Sequence, residues 1–218
     1  MIVSLSYPFI SSFESRINFV QKWKFLFPSI CFMMLIFIPW DIYFTSKSVW
    51  SFNENYILGY KLFLLPIEEW LFFIIIPFCC VFIHEVLDYF FSNSIQLNRK
   101  LYYFSSCLIL IIGLYFNSKL YTFYVLLLSS FLLFLSSLNG SLFVNNLIRT
   151  YLVSLFPFVL VNGLLTGSFN SPIVMYNSDE IMNCRLLNIP IEDFFYSFSM
   201  LALTILPYNY LKTKFNTS

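Results

Sequence analysis

Charged residues are scarce in this sequence. They make up 11% of its 218 residues, while hydrophobic residues make up 59%. Soluble domains carry about a quarter charged residues, so this chain lacks the polar surface that a soluble globule needs. An excess of basic charge is also absent, because the net charge is +1, and this excludes a strongly basic nucleic-acid-binding protein. An aromatic content of 22% is too high for a disordered chain. The class of protein that remains is a polytopic membrane protein.

Residues that hold metals or dinucleotides are also few. The single histidine, His84, and five cysteines without any CxxC pair offer no Cys/His metal set. The five glycines form no GxGxxG dinucleotide fingerprint. We therefore expect neither a bound metal nor a cofactor.

Long apolar runs predict membrane-spanning helices, because about 20 apolar residues cross a bilayer and lipid offers no partners to an open backbone. A first run, residues 2–13, is too short to span comfortably. We expect an all-α membrane bundle of six to seven transmembrane helices. The six longer runs are residues 25–44, 62–87, 101–116, 120–138, 147–166 and 191–211.

Lysine and arginine are divided unequally between the two sets of loops that these runs define. Eight of the 12 basic residues lie in the set that includes the C-terminal segment, and four lie in the other. Cytoplasmic loops are enriched in Lys and Arg. We therefore expect a multi-pass protein of the cell inner membrane, with its C-terminus in the cytoplasm.

A short motif occurs twice, 124 residues apart. Residues 65–69 read Leu-Pro-Ile-Glu-Glu, and residues 189–193 read Ile-Pro-Ile-Glu-Asp. The tripeptide Ser-Phe-Asn also recurs upstream, at residues 51–53 and 168–170. These echoes indicate an internal repeat.

The repeat predicts a division of the chain into three parts. Residues 1–91 and 119–218 are the two three-helix repeats, and residues 92–118 are a linker helix. An odd linker keeps both halves parallel in the membrane, as in some transporters and enzymes. We therefore expect both motifs at the same membrane face.

The acids of the two motifs are candidate catalytic residues: Glu68, Glu69, Glu192 and Asp193. Acids inside a membrane are costly, so each is a functional hypothesis. In a dry pocket, neighbouring carboxyls titrate together and one of them keeps its proton, which places a general acid beside a general base. The alternative is helix capping in the headgroup region. Adjacent helical residues point about 100° apart, so not all four can face one pocket.

Aromatic and polar residues near the motifs are candidates for lining such a pocket. An aromatic face stabilises a cation and supplies no nucleophile. With 29 Phe and 15 Tyr in the chain, ordinary packing is the alternative. Arg185 is the candidate for holding one carboxylate ionised. The candidate substrate-binding residues are Trp40, Asp41, Trp70, Phe72, Phe73, Asn162, Thr166, Arg185, Phe195 and Tyr196.

These residues resemble the lycopene cyclase domain family, the non-flavin integral-membrane carotenoid cyclases. The resemblance lies in Trp40-Asp41, in Val-Trp-Ser-Phe-Asn at 49–53, in Tyr-Ile-Leu-Gly at 56–59 and in the first motif. The second half is similar at Asn162-Gly163, Tyr176-Asn177, Arg185 and residues 189–196. The resemblance covers about residues 14–211 and implies the fused single-chain form of the family. The short first run departs from the family, whose members have a full first helix.

The resemblance implies cyclisation of the linear ends of lycopene to β-ionone rings, giving γ-carotene and then β-carotene. It implies Glu68 or Glu69 as proton donor, with Glu192 and Asp193 completing the set. Nothing is oxidised overall, so no redox cofactor is consumed. The implied partners are a C40 carotenoid and membrane lipid, with a homo-oligomer or other carotenoid-pathway enzymes as further possibilities.

Three other functions fit the sequence less well. A small transporter with a parallel three-plus-one-plus-three repeat is the main alternative, but the acids cluster at one face. A retinal-type photoreceptor needs a lysine in the last span, and residues 191–211 contain none. A prenyltransferase needs a DDxxD-like cluster, which the sequence lacks.

Overall fold

The computed structural model describes residues 2–91, 97–168 and 171–216, and within them the chain is mostly helical. A 3-10 turn, Phe19–Lys22, precedes the second helix. The helices of the described residues are α1 (Ile2–Ser11), α2 (Trp23–Ser46), α3 (Ile67–Phe90), α4 (Arg99–Tyr115), α5 (Leu120–Leu138), α6 (Ser141–Leu165) and α7 (Ile191–Asn216).

Four of these helical segments are long and apolar enough to cross a membrane: Phe19–Ser46, Ile67–Phe90, Leu120–Leu138 and Ser141–Leu165. Helix α4 has 17 residues, and α7 carries two acids in its first turn. The structure therefore supports a membrane protein built from helices, while the expected six to seven spans stay a prediction.

Short strands, which the apolar runs did not predict, connect the helices. Strands β2 (Lys61–Leu62) and β3 (Leu65–Pro66) form a hairpin before α3, so this helix begins five residues later than the run from Leu62 predicted. The two turn residues, Phe63 and Leu64, have φ of 50° and 71°. Hairpins with two-residue turns favour this left-handed backbone, although it is strained for bulky residues.

A second hairpin of the same form precedes α7. Strands β5 (Arg185–Leu186) and β6 (Ile189–Pro190) pair in the same register as the first hairpin, 124 residues later. The turn residues Leu187 and Asn188 also have positive φ, 48° and 63°. Both copies of the Pro-Ile-Glu motif thus start a helix directly after a tight hairpin.

The loops after α2 and α6 pair with each other. Strand β1 (Trp50–Phe52) runs antiparallel to β4 (Val174–Tyr176), with Ser51 opposite Met175. This pairing joins the two halves of the chain at the end of the bundle that carries the hairpins. Residues Phe169 and Asn170 of the predicted Ser-Phe-Asn echo lie outside the described residues.

Helices of one half pack against helices of the other. Helix α2 packs on α7 and α3 packs on α6, while α1 lies against α3. Phe37 of α2 is fully buried, and its ring meets the ring of Tyr196 of α7 edge-to-face at 4.8 Å. Helix α4 packs on α5 at Gly113, where a Cβ would lie 3.1 Å from the Leu126 Cβ. The crossed packing brings the starts of α3 and α7 together.

The opposite end of the bundle carries a buried ionic network. Glu85 of α3 accepts hydrogen bonds from Lys22 and Lys212, and its side chain is 2% exposed. Asp88, one turn further on, pairs with Arg149 of α6. All three basic residues belong to the set that the charge distribution assigns to the cytoplasmic side, although Arg149 and Lys212 lie within α6 and α7 in the structure.

Candidate active site

An apolar cavity of about 320 Å³ lies between α1, α3, α6 and α7. Its end beside the hairpins is lined by three acidic side chains from three helices: Asp41 of α2, Glu69 of α3 and Asp193 of α7. Hydrophobic and aromatic side chains form most of the remaining wall. The cavity thus joins a carboxyl cluster to a long apolar space.

The three carboxyl groups lie close enough to interact electrostatically with one another. Glu69 and Asp193 both follow the glutamate of their motif, so they occupy equivalent positions in the first turns of α3 and α7. The two motifs therefore lie at the same end of the bundle, while their position at one membrane face stays a prediction.

Asp193 is held by three hydrogen bonds. Tyr121 Oη donates to Oδ1 at 2.7 Å, and Tyr176 Oη and Asn162 Nδ2 donate to Oδ2 at 2.8 and 2.7 Å. The residue is 4% exposed. Hydrogen bonds donated to a carboxylate stabilise its negative charge, so this arrangement suits an anion.

Glu69 has a different environment. It is half-buried and borders the cavity, and among the described residues no hydrogen-bond donor contacts its carboxyl group. The nearby charges are those of other acids, Asp193 and Glu68. A carboxyl without donors beside an apolar space costs less as the neutral acid than as the anion.

Asp41 completes the cluster. It is 2% exposed, and its Oδ1 accepts a hydrogen bond of 2.7 Å from Tyr196 Oη. Tyr196 also lines the cavity, so this bond fixes an aromatic ring on the cavity wall and connects α2 with α7.

Glu68 and Glu192 do not line the cavity, because each lies about 100° around its helix from its acidic neighbour. Glu68 Oε1 accepts from the backbone N–H of Leu58 at 2.7 Å. Glu192, fully buried, accepts from the N–H of Met182 at 2.6 Å and from Thr122 Oγ1 at 2.6 Å. In both motifs the glutamate therefore binds the loop ten residues upstream.

Tyr176 lies outside the membrane-spanning helices, at the end of β4. Burial, followed by the nearby charge of Asp193, raises the pKa of its phenol well above the ordinary value. The phenol therefore stays protonated at neutral pH and remains a donor to Asp193.

A comparison with known protein families shows the family of this chain. A family model described as lycopene cyclase matches residues 1–87 and 118–211. The chain belongs to the lycopene cyclase family. No curated protein and no solved structure matches it. Family membership supports a carotenoid cyclase and implies a carotenoid substrate.

The candidate substrate-binding residues of this cyclase divide into two groups. Asp41, Phe72, Asn162 and Tyr196 line the cavity. The other six do not: Trp40, Trp70, Phe73, Thr166, Arg185 and Phe195.

Several members of the second group support the wall from behind. Phe73 is fully buried, and its ring centre lies 5.8 Å from that of Phe72, which lines the cavity. Thr166 Oγ1 donates to the backbone carbonyl of Asn162. Arg185 is exposed, with its guanidinium 5.8 Å from the ring centre of Tyr176, and among the described residues it pairs with no carboxylate.

The importance of two tyrosines of this cyclase is not evident from the sequence. Tyr121 and Tyr176 stack with their ring centres 6.0 Å apart, and both donate to Asp193. Tyr176 belongs to the residues that carry the resemblance. Nothing in the sequence separates Tyr121 from the other tyrosines, because its role depends on α5 packing against α7.

Proposed function

We propose that the protein is a lycopene β-cyclase that converts linear ends of lycopene to β-ionone rings by acid catalysis. One observation carries the proposal: Glu69 and Asp193, from the starts of two different helices, face one apolar cavity. A hydrocarbon substrate needs such a cavity, and protonation of an alkene needs an acid at its end.

The reaction is an isomerisation, in which one proton is added and one is lost. A carboxyl protonates the terminal double bond and leaves a tertiary cation. The internal double bond then forms the ring bond to that carbon and moves the charge into the ring. A carboxylate removes a neighbouring proton, and the electron pair of that C–H bond becomes the ring double bond.

The hydrogen bonds of the cluster support a division of roles between the carboxyl groups. We propose Glu69 as the proton donor, because no described donor stabilises its anion. Asp193, with three donors, is the fixed negative charge that faces the cation. The ring proton leaves to a carboxylate of the same cluster, and the enzyme is back in its starting state once Glu69 carries that proton again.

The wall of the cavity suits a cationic intermediate. The rings of Phe72 and Tyr196 line it, and aromatic faces stabilise a cation without trapping it. Few polar groups other than the carboxyl cluster and its donors reach this end, so little water is held near the cation, and water would otherwise quench it.

We also propose that the cyclase arose by duplication, with residues 1–91 and 119–218 as repeats and residues 92–118 as linker. The matching hairpins and the matching Glu68 and Glu192 contacts support this division. In the same proposal six to seven helices span the cell inner membrane, and the network around Glu85 faces the cytoplasm.

Expression in cells that accumulate lycopene tests the activity directly. Wild-type protein should convert red lycopene to yellow-orange carotenoids with rings at one or both ends, identified by chromatography. Glu69→Gln should abolish ring formation, because an amide cannot donate the proton.

Glu68→Gln is the matched control, since it makes the same change from a carboxyl group to an amide at the neighbouring residue. Its amide oxygen can still accept the bond from the Leu58 N–H, so we expect ring formation within about threefold of wild type. Unchanged lycopene in cells that contain folded, membrane-inserted wild-type protein would contradict the proposed function. Wild-type turnover by Glu69→Gln would remove Glu69 from the mechanism.

A further inference from the structure

The lining of the cavity extends along two helices. On α3 it is lined by a single stripe of residues that begins at Glu69 and ends at Ile83. On α6 the matching stripe runs from Leu165 to Tyr151. Each stripe covers fourteen helical steps, or about 21 Å at 1.5 Å per residue, which is about two thirds of the hydrocarbon thickness of a bilayer.

The far end of the cavity reaches the outer surface of the bundle between α1 and α6. Tyr7 of α1 lines the cavity and is nevertheless 72% exposed. Pro157, about midway along the stripe on α6, also lines the cavity and is exposed, so the opening extends along the side of the cavity. Tyr7 lies beside the distal end, because its ring centre is 6.2 Å from that of Phe82.

A C40 polyene is longer than this cavity. If its reacting end lies at Glu69, the stripes on α3 and α6 accommodate only about half of the extended chain. The remaining half has to leave the protein, and an apolar chain that leaves at Tyr7 is soluble in the hydrocarbon of the bilayer.

We propose that the cyclase binds one half of its polyene lengthwise between α3 and α6, with the other half projecting between α1 and α6 into the lipid. This inference rests on the proposed cyclase function and adds the orientation and the route of the substrate. Ile83 then determines specificity for the chain, although it lies about 21 Å along α3 from Glu69.

This orientation of the substrate makes the two ends react in separate binding events. The enzyme acts on one end in each binding event and does not contact the other end. A doubly cyclised product therefore requires that the monocyclic carotenoid leaves, reverses and binds again.

The first experiment narrows the distal half of the cavity. Ile83→Trp should lower the rate of ring formation at least tenfold, since the larger side chain occupies the path of the polyene. Leu152→Trp is the matched control, because Leu152 adjoins Tyr151 on α6 but is 59% exposed on the outer face, and it should stay within twofold of wild type. Ile83→Phe serves if the tryptophan variant does not reach the membrane.

The outcomes separate this inference from the proposed function. Wild-type protein without any ring formation contradicts both. Ring formation by wild type together with wild-type rates in membrane-inserted Ile83→Trp or Ile83→Phe contradicts only the lengthwise binding.

The second experiment uses wild-type protein in lipid vesicles that contain unlabelled lycopene and isotope-labelled monocyclic carotenoid. We expect the label to enter the bicyclic product in proportion to its share of the monocyclic pool. Unlabelled bicyclic product, or failure to cyclise the monocyclic carotenoid at all, would overturn the inference that the enzyme does not contact the far end of its substrate.

Discussion

The hydrogen bonds to Asp193 provide the sharpest quantitative prediction. Tyr121→Phe removes the 2.7 Å bond to Oδ1 and leaves the two bonds from Tyr176 and Asn162 to Oδ2. The ring itself is retained and still packs against Trp50, with ring centres 5.2 Å apart. The substitution therefore tests the hydroxyl group and changes little else.

The size of the effect follows from the charge of the acceptor. A hydrogen bond to a charged group contributes about 1.5–3 kcal/mol, and about 1.4 kcal/mol corresponds to a factor of ten in rate. If Asp193 carries the negative charge that stabilises the cation, Tyr121→Phe should lower kcat/KM by about ten- to a hundredfold. Tyr176→Phe should act similarly, and the double variant should deviate from additivity because both bonds end on one carboxylate.

The assay is the initial rate of ring formation in isolated membranes, normalised to the amount of inserted protein. Tyr124→Phe is the control, since Tyr124 lies three residues further on α5, is 40% exposed and does not line the cavity. Rates within twofold of wild type for both Tyr121→Phe and Tyr176→Phe would refute the role of Asp193 as the stabilising anion.

Three further predictions concern stability, measured as thermal unfolding of the purified protein in detergent. Glu192→Ala should destabilise the protein by about 1–3 kcal/mol, because the Met182 N–H loses its acceptor. In the activity assay, Glu192→Gln should keep the rate of ring formation near that of wild type. Glu85→Gln should cost about 3 kcal/mol, since two lysines lose their buried partner; an unchanged melting temperature would show that solvent screens the network. Gly113→Leu should cost about 1–3 kcal/mol by forcing α4 from α5, while Leu114→Ala, at an exposed neighbouring position, should have a smaller effect.

Much of the helical layout could be predicted from hydropathy alone. The predicted run 120–138 coincides with α5. The prediction for α3 began too early, because residues 62–66 are apolar but form a hairpin with left-handed turn residues. Hydropathy does not distinguish an apolar hairpin from an apolar helix.

The start of α6 shows the opposite error. The apolar run predicted its beginning at residue 147, but the helix starts at Ser141. Asn145, inside this polar first part, is buried and accepts a hydrogen bond from Tyr102 Oη at 2.8 Å. A polar residue that finds its partner on another helix does not interrupt a span, and the partner is not visible in the local sequence.

The sequence by itself determined that the protein belongs in a membrane and that two acidic motifs begin two helices, since composition and local spacing carry both facts. It also placed the two acids of each motif about 100° apart. Only the tertiary structure decided that Glu69 and Asp193 face the cavity while Glu68 and Glu192 bind loops. The physical reason is that spacing along the chain sets the angle between side chains, whereas the rotation of each helix against its neighbours depends on packing by residues far away in the chain.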